Sequence, residues 1–319
     1  MIPVVEIRDL RVRFHGERQV YAVNGVDLAL RPGEVLGLLG ESGSGKSVTL
    51  RALLRMLPPR RSSVAGSIRI AGEDVLAMDD AALERLRGGV AAMIFQEPML
   101  ALDPVFTIGH QIAETVVRHR GVSWAQARAR ALEMLDSVRI PSARRRLDAY
   151  PHELSGGMRQ RAMIALALSC GPKLLLADEP TTALDSTVQI QILLLLRELQ
   201  RAFAMAVIFV THDVGVAVEI SDRVAVMYGG RIVETGTLHE VVRKPAHPYT
   251  RGLLASTVVG ARRGQRLEAI SGTPPRLDAP PQGCSFAPRC NLADAACREA
   301  DIVSVVLSPS RSVRCCKVN

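Results

Sequence analysis

Val35-Leu36-Gly37-Leu38-Leu39-Gly40-Glu41-Ser42-Gly43-Ser44-Gly45-Lys46-Ser47 decides how this chain folds. Its first five residues form a short apolar run suited to a buried strand, and the run breaks into glycines before the helical spacing of 47–57 begins. Strand, glycine loop and helix follow in that order. The G-x-x-x-x-G-K-S spacing from Gly40 to Ser47 therefore fits the phosphate-loop pattern together with the flanks that pattern requires. Glycines let the backbone curl so that its N–H groups and the helix N-terminus face phosphate oxygens. Lys46 supplies a point charge at the β and γ phosphates, and Ser47 a hydroxyl for Mg²⁺. A bare Gly-Ser linker would not need both flanks.

Outward from this stretch, 4–14 and 21–30 alternate as half-buried strands do and predict an antiparallel β start. Residues 79–88 read as a polar helix, 90–95 as a buried strand and 108–169 as mostly helical. The apolar runs 174–177 and 207–210, separated by a helix over 188–203, give a βαβ alternation and predict a parallel sheet. Short strands follow at 223–227 and 231–234. Past about residue 256 prolines and glycines interrupt any regular element, and five of the six cysteines lie at or after Cys284.

Three further segments carry chemistry. Residues 174–179 read as an apolar strand ending in the carboxylates Asp178 and Glu179, where a turn at the strand end can bring both to one site, Asp178 toward Mg²⁺ and Glu179 toward water as a general base. The run 207–210 delivers His212 in the same way; a lone histidine there is ordinarily packed or solvated, and the other motifs give it weight. In Leu154-Ser155-Gly156-Gly157-Met158-Arg159-Gln160, Ser155 is a good N-cap and the two glycines bare the first N–H groups of a helix, an anion site.

Composition bounds the rest. At 319 residues, 48% hydrophobic and 23% charged, the chain has ample material for one large domain or two ordinary ones, which excludes wholesale disorder and coiled-coil rods. No apolar run approaches the ~18 residues of a membrane span, and Glu6, Arg8 and Asp9 stand where a secretory signal would be apolar, so a cytosolic location is expected. Net charge is +8, with Lys46, Lys173, Lys244 and Lys317 the lysines among 40 basic residues. With aromatics at 3% there is little to stack on bases, and no nucleic-acid partner is expected. The arginine-rich stretch 118–146 has helical apolar spacing at Ala127, Ala131, Met134, Leu135 and Val138; it reads as a solvated helix face, with docking near acidic headgroups as the sharper alternative.

Together the motifs resemble the ATP-binding cassette (ABC) ATPases over about residues 4–256. LSGGMRQ looks like the ABC signature, Gln96 like the Q-loop glutamine, Ala183-Leu184-Asp185 like the D-loop and His212 like the switch histidine, while Phe14, or alternatively Tyr21, resembles the aromatic that stacks on adenine. The resemblance implies an α/β fold, a RecA-like P-loop core with an antiparallel β subdomain and an α-helical lobe. It places a nucleotide-binding domain over 1–255, the lobe at about 99–170, and a small loop-rich cysteine domain over 256–319. ATP would be held by Gly40, Ser42, Gly43, Ser44, Gly45, Lys46, Ser47 and Val48 with Gln96 and Asp178, and Mg²⁺ by Ser47, Gln96 and Asp178. In head-to-tail dimers Ser155, Gly156, Gly157 and Asp185 would serve the partner's nucleotide. Glu179 would polarise the water and His212 hold the γ-phosphate, with Gln96 as the third catalytic residue.

Lys244-Pro245-Ala246-His247-Pro248-Tyr249-Thr250 and 180–189 narrow the resemblance to the oligopeptide/dipeptide and nickel importers. It implies an ATPase driving import of dipeptides or oligopeptides, or alternatively of nickel, glutathione or another small solute. Its partners would be two transmembrane permease subunits, a second and non-identical ATPase and an extracytoplasmic substrate-binding protein, and its place the cytoplasmic face of the inner membrane. A soluble, non-transport ABC ATPase is the rival. The spacing of Cys284, Cys290, Cys297, Cys315 and Cys316 decides neither zinc nor iron–sulfur nor free thiols. The subgroup resemblance implies a 4Fe–4S cluster on Cys284, Cys290, Cys297 and Cys315, with Cys316 as the alternative fourth ligand. Cys170, in an apolar helix, is expected to pack as a small hydrophobe.

Overall fold

Alternation of buried and exposed positions builds the first sheet. In β1 (Val5–Phe14) the side chains of Val5, Ile7, Leu10 and Val12 are buried, and β1 pairs antiparallel with β2 (Val20–Leu30), Val5 opposite Leu30 and Phe14 opposite Val20. The computed structural model describes residues 2–97, 101–182, 184–257, 269–299 and 301–318. These form two compact units, one running up to Leu76 and resuming at Phe209, the other Ala77–Ile208. In the first unit β3 (Val35–Leu39) is buried at every position, and the phosphate-loop stretch leads from it into α1 (Lys46–Leu53). Burial of Leu36, Leu38 and Leu39 contributes roughly 2 kcal/mol apiece, so the strand is a fixed base for the loop. Beyond it β4 (Ser62–Ile70) pairs with the other edge of β1, and β5 (Glu73–Asp74) completes the sheet in the order β2-β1-β4-β5.

The second unit holds the long helical stretch. Asp79 caps α2 (Asp80–Arg85), and β6 (Ala91–Ile94) follows. Thr107 caps α3 (Ile108–Arg120), which ends on a left-handed Gly121, and Ser123 with Gln126 forms a capping box at α4 (Trp124–Ser137). These caps satisfy the N–H groups that a helix start leaves open. The arginine-rich stretch buries Ala127, Ala131, Met134, Leu135 and Val138, as its spacing predicts, and Cys170 packs with Ala113, Val116 and Ala127. After α5 (Ala143–Arg146) come α6 (Gly156–Leu168), β7 (Leu174–Asp178) and α7 (Ser186–Phe203). β6 and β7 pair in parallel, Ala91 opposite Leu174 and Ile94 opposite Ala177. This pair is parallel, as in the sheet type the sequence predicts, although the strands the sequence points to are 174–177 and 207–210.

β8 (Ala206–Thr211) is buried throughout. In the first unit α8 (Val214–Ile220) leads to β9 (Arg223–Tyr228), which runs parallel to β3, and to β10 (Arg231–Thr237), antiparallel to β9. α9 (Leu238–Arg243) and α10 (Pro248–Ala255) follow. In the proline-rich tail the structure adds elements that the sequence does not announce: α11 (Ala296–Glu299), β11 (Val305–Ser308) and β12 (Arg311–Val313). β12 pairs with β10, Val313 opposite Glu234, so the tail's hairpin extends the sheet that carries β3. Among the described residues no helix is long and apolar enough to cross a membrane.

Candidate functional site: phosphate loop, carboxylate strand end and cysteine cavity

The phosphate loop is shaped by close approach. A side chain at Gly40 would meet the Met227 carbonyl oxygen at 2.2 Å, and one at Gly45, whose φ is +105°, would meet the Ala22 carbonyl oxygen at 2.4 Å. Only glycine fits either place. Lys46 is buried and folds over the loop, donating from Nζ to the carbonyls of Gly40 (2.7 Å) and Glu41 (2.8 Å). Ser42 and Gly43 are exposed, Ser47 and Val48 half-buried, and the Ser44 carbonyl accepts from Gly230 N (3.0 Å). Phe14 closes β1, half-buried, and Tyr21 lies under the Arg13 guanidinium at 5.9 Å and lines a cavity of about 700 Å³ with Arg11 and Arg231. His212 is exposed just beyond β8, and the next residue, Asp213, caps α8.

In the second unit β7 ends on Asp178, 2% exposed, and Glu179 follows half-buried with φ at +45°. Its carboxylate accepts from the Thr182 hydroxyl (3.0 Å) and its carbonyl from Thr182 N (3.2 Å). Gln96 is exposed two residues past β6. Ser155 caps α6 by accepting from Met158 N (3.4 Å), Gly156 has open space where a side chain would stand, and a side chain at Gly157 would meet Val188 at 3.0 Å. Arg159 donates to the carbonyls of Pro151 and His152, which holds the entry to that helix. Asp185 caps α7, accepting from Val188 N (3.0 Å). Ala183 of the expected D-loop and Met99 at the start of the expected lobe lie outside the described residues.

The subgroup element HPYT is a structural joint. Glu234, 1% exposed, accepts from the backbone N–H groups of Ala246 and His247 (2.9 Å each) and from Arg311 (2.8 Å). His247 Nδ1 accepts from Tyr249 N (3.0 Å), and burial, helped by Arg251, pushes the imidazole down to about 4, so the ring is neutral with its proton on Nε2. That Nε2 is buried and has no hydrogen-bond partner among the described residues. His247 lines one small cavity with Cys284, Cys290, Cys297, Cys315 and Cys316.

Two of those sulfurs, on Cys297 and Cys316, lie 3.2 Å apart. Burial pushes the thiols of Cys284 and Cys315 up, and Cys316 is pushed up to about 11, by desolvation first and then by Cys297. Among the described residues no three His, Cys, Asp or Glu side chains converge as a metal-binding group. The thiols share a cavity without closing on a common centre.

Tyr249 and Arg289 are absent from the sequence reading of the site, yet both touch the phosphate loop. The Tyr249 hydroxyl accepts from Glu41 N (2.9 Å), and Arg289 donates to the Glu41 carboxylate (2.8 Å). Arg289 and Glu41 stand 248 positions apart, and no periodicity connects them. The Pro288-Arg289-Cys290 sequence beside a candidate ligand was the one available signal.

Residues 23–182 match the ABC transporter family, and 233–297 the oligopeptide/dipeptide transporter C-terminal region. A putative peptide import ATP-binding protein of Brucella melitensis is 51% identical over 311 residues, covering 93% of this chain and 92% of that protein. A probable peptide ABC transporter ATP-binding protein of Sinorhizobium fredii is 49% identical over 320 residues, covering 99% and 95%. Among solved structures, the dimeric ABC transporter cassette MJ0796 aligns with a TM-score of 0.65 at 31% identity, covering 73% of this chain and 98% of that one. The cbiO1 protein of Clostridium perfringens, part of the cbiONQ transporter complex, aligns at 0.66 and 26% identity, covering 76% and 92%. With its glycine-built phosphate loop, carboxylate-ended strand and Ser155-capped glycine helix, this chain belongs to the ABC transporter ATP-binding proteins, and its C-terminal region to that of the oligopeptide/dipeptide transporters.

Proposed function

We propose that this chain is the ATP-hydrolysing subunit of a dipeptide or oligopeptide importer. The observation that carries the reading is the coexistence, in one chain, of a match to the ABC transporter family over 23–182 with one to the oligopeptide/dipeptide transporter C-terminal region over 233–297. Gly40, Ser42, Gly43, Ser44, Gly45 and Val48 hold phosphate oxygens through the loop and helix start, and Lys46 turns from the loop carbonyls to the β and γ phosphates. Phe14 or Tyr21 stacks on adenine. The hydroxyl, amide and carboxylate oxygens of Ser47, Gln96 and Asp178 are the hard donors that suit Mg²⁺, which when bound neutralises charge on the phosphates. Glu179 takes the proton of the attacking water, Gln96 orients that water, and His212 holds the γ-phosphate. Ser155, Gly156, Gly157 and Asp185 serve the nucleotide of a second ATPase subunit. The work is positioning and electrostatic clamping, with no covalent intermediate on the protein.

The functional division follows: nucleotide binding in 1–255, with a helical lobe at about 99–170, and a metal-binding extension in 256–319. Permease contact belongs to the lobe, where Val105, Phe106 and Trp124 are exposed and Phe106 stacks on His110 at 4.9 Å. An apolar patch on a charged helical surface suits a protein partner. The chain then sits at the cytoplasmic face of the inner membrane, with two permeases, a second ATPase and an extracytoplasmic binding protein in the complex. For the extension we propose a 4Fe–4S cluster on Cys284, Cys290, Cys297 and Cys315. What supports it is the soft donor set lining one cavity and, on a residue of the same lining, the orphaned Nε2–H of His247, a donor of the kind that tunes such centres. The cluster would supply one-electron chemistry or a covalent staple, and its binding takes protons from thiols that burial keeps protonated.

The test is an anaerobic purification of the tagged chain from its native membranes in mild detergent. Two multi-span permeases and a second ATPase in the eluate support the importer, while ribosomes or nucleic acid in their place would overturn it. Bound iron and visible absorbance report the cluster, and a colourless, iron-free chain removes it.

A further inference from the structure

The guanidinium of Arg289 joins two parts of the first unit that are far apart in sequence. It donates from Nη1 to the Glu41 carboxylate (2.8 Å) and the Tyr228 hydroxyl (3.2 Å), from Nη2 to the Ile270 carbonyl (3.1 Å), and from Nε to the Ser271 carbonyl (2.9 Å). Its side chain is 5% exposed, against 25% for Glu41. Rings of Tyr228 and Phe286 lie beside it at 5.8 and 5.9 Å. The tail from Ile270 onward is thereby strapped along the loop, where Pro274, Pro275 and Leu277 face Glu41, Ser42, Gly43 and Ser44 across a narrow cavity, and the Leu277 carbonyl accepts from Tyr21 N (2.7 Å).

Glu41 is the second residue of the loop that is to receive a polyanion. A carboxylate there repels phosphate unless a cation cancels it, and a buried partner cancels it without the screening an exposed pair would suffer. We infer that Arg289 is a positioning residue for nucleotide: it neutralises Glu41 and fixes the phosphate loop from the cysteine-bearing tail. The inference rests on the nucleotide-binding function proposed above and adds to it a contribution from outside the ATPase motifs. Arginine is required by the geometry, because one planar fork serves two carbonyls, a hydroxyl and a carboxylate at once, which a lysine ammonium does not.

The test is equilibrium binding of a fluorescent ATP analogue to the full-length chain, with thermal unfolding of each variant as a check on folding. Arg289→Met should weaken binding by about 10-fold, the order expected for one uncancelled charge near a polyphosphate. Its KM for ATP should rise with kcat at saturation little changed. Adding Glu41→Gln to Arg289→Met should recover most of the loss, because it removes the charge that Arg289 cancels. A purely structural strap predicts no such reversal. If Arg289→Met does not fold, Arg289→Lys carries the same comparison, with a smaller loss that Glu41→Gln again reduces. Wild-type affinity in a folded Arg289 variant, or failure of Glu41→Gln to restore binding, would overturn the inference. A wild-type chain that does not bind the analogue would instead overturn the proposed function.

Discussion

Glu179 leaves β7 in the left-handed region, φ +45°, a conformation that costs a residue with a Cβ roughly 1–2 kcal/mol. Two hydrogen bonds from Thr182, to its carboxylate and its carbonyl, hold it there. Strain of this kind is kept where it aims a side chain. Glu179→Gln, nearly isosteric, should bind ATP as tightly as wild type and lose hydrolysis by roughly 10²- to 10⁴-fold, the usual worth of a general base. Single-turnover hydrolysis checks this, and turnover close to wild type would take the role from Glu179. The residue types at the phosphate loop and strand ends were legible because each motif is local: the pattern, its glycines and its flanks lie within a dozen positions. The left-handed Glu179 was not, since nothing in Asp178-Glu179-Pro180 specifies a backbone angle.

Elements were legible in proportion to how much their own side chains settle. β3, β7 and β8 are apolar runs buried at every position, and the sequence places each within one or two residues of the structure. β4 is not legible in the sequence because Ser62-Ser63-Val64-Ala65-Gly66-Ser67 has no strand pattern; it is a strand because β1 offers it an edge, and only Ile68 and Ile70 are fully buried in it. The tail hairpin is similar: Val305, Val306 and Leu307 stay exposed, and pairing with β12 defines the strand. α9 shows how such a hairpin is tied down. Glu240 takes hydrogen bonds from the Thr237 backbone and hydroxyl and from the hydroxyls of Ser308 and Ser310, which hold its carboxyl at about 2, below the ordinary glutamate value of 4.5. A carboxyl depressed by folding contributes stability in full above about pH 4.5 and loses it as pH falls through about 2. The gap in urea midpoint between wild type and Glu240→Gln should thus be constant from neutral pH to about 5 and narrow below 4.5. A gap that widens on acidification would contradict the assignment.

Across the whole molecule, the tail is bound to its unit by packing as well as by pairing. Phe286 lies edge-on to Tyr228 at 5.3 Å and against Tyr249 at 5.4 Å, and Arg311 reaches the buried Glu234. Ending the chain after Ala255 strips β10 of β12, leaves Glu234 without its cation and uncovers Tyr228 and Tyr249. An unpaired buried charge alone costs about 3–5 kcal/mol, so the shortened chain should melt many degrees lower or aggregate, as thermal unfolding by circular dichroism will read. Replacing Cys290 with Ser should bleach the visible absorbance that the proposed cluster would give an anaerobic preparation, a test that concerns the cavity rather than the packing. By itself the sequence determined the α/β class, the order of strands and helices around the phosphate loop, and the residues carrying the ATPase motifs, because each follows from local periodicity or from a motif a few residues long. Only the tertiary structure decided that five cysteines and His247 share one cavity, that Glu234 anchors the HPYT turn, and that Arg289 cancels Glu41. Those contacts join positions up to 248 residues apart, and their energy exists only once the intervening chain has folded and shut out water.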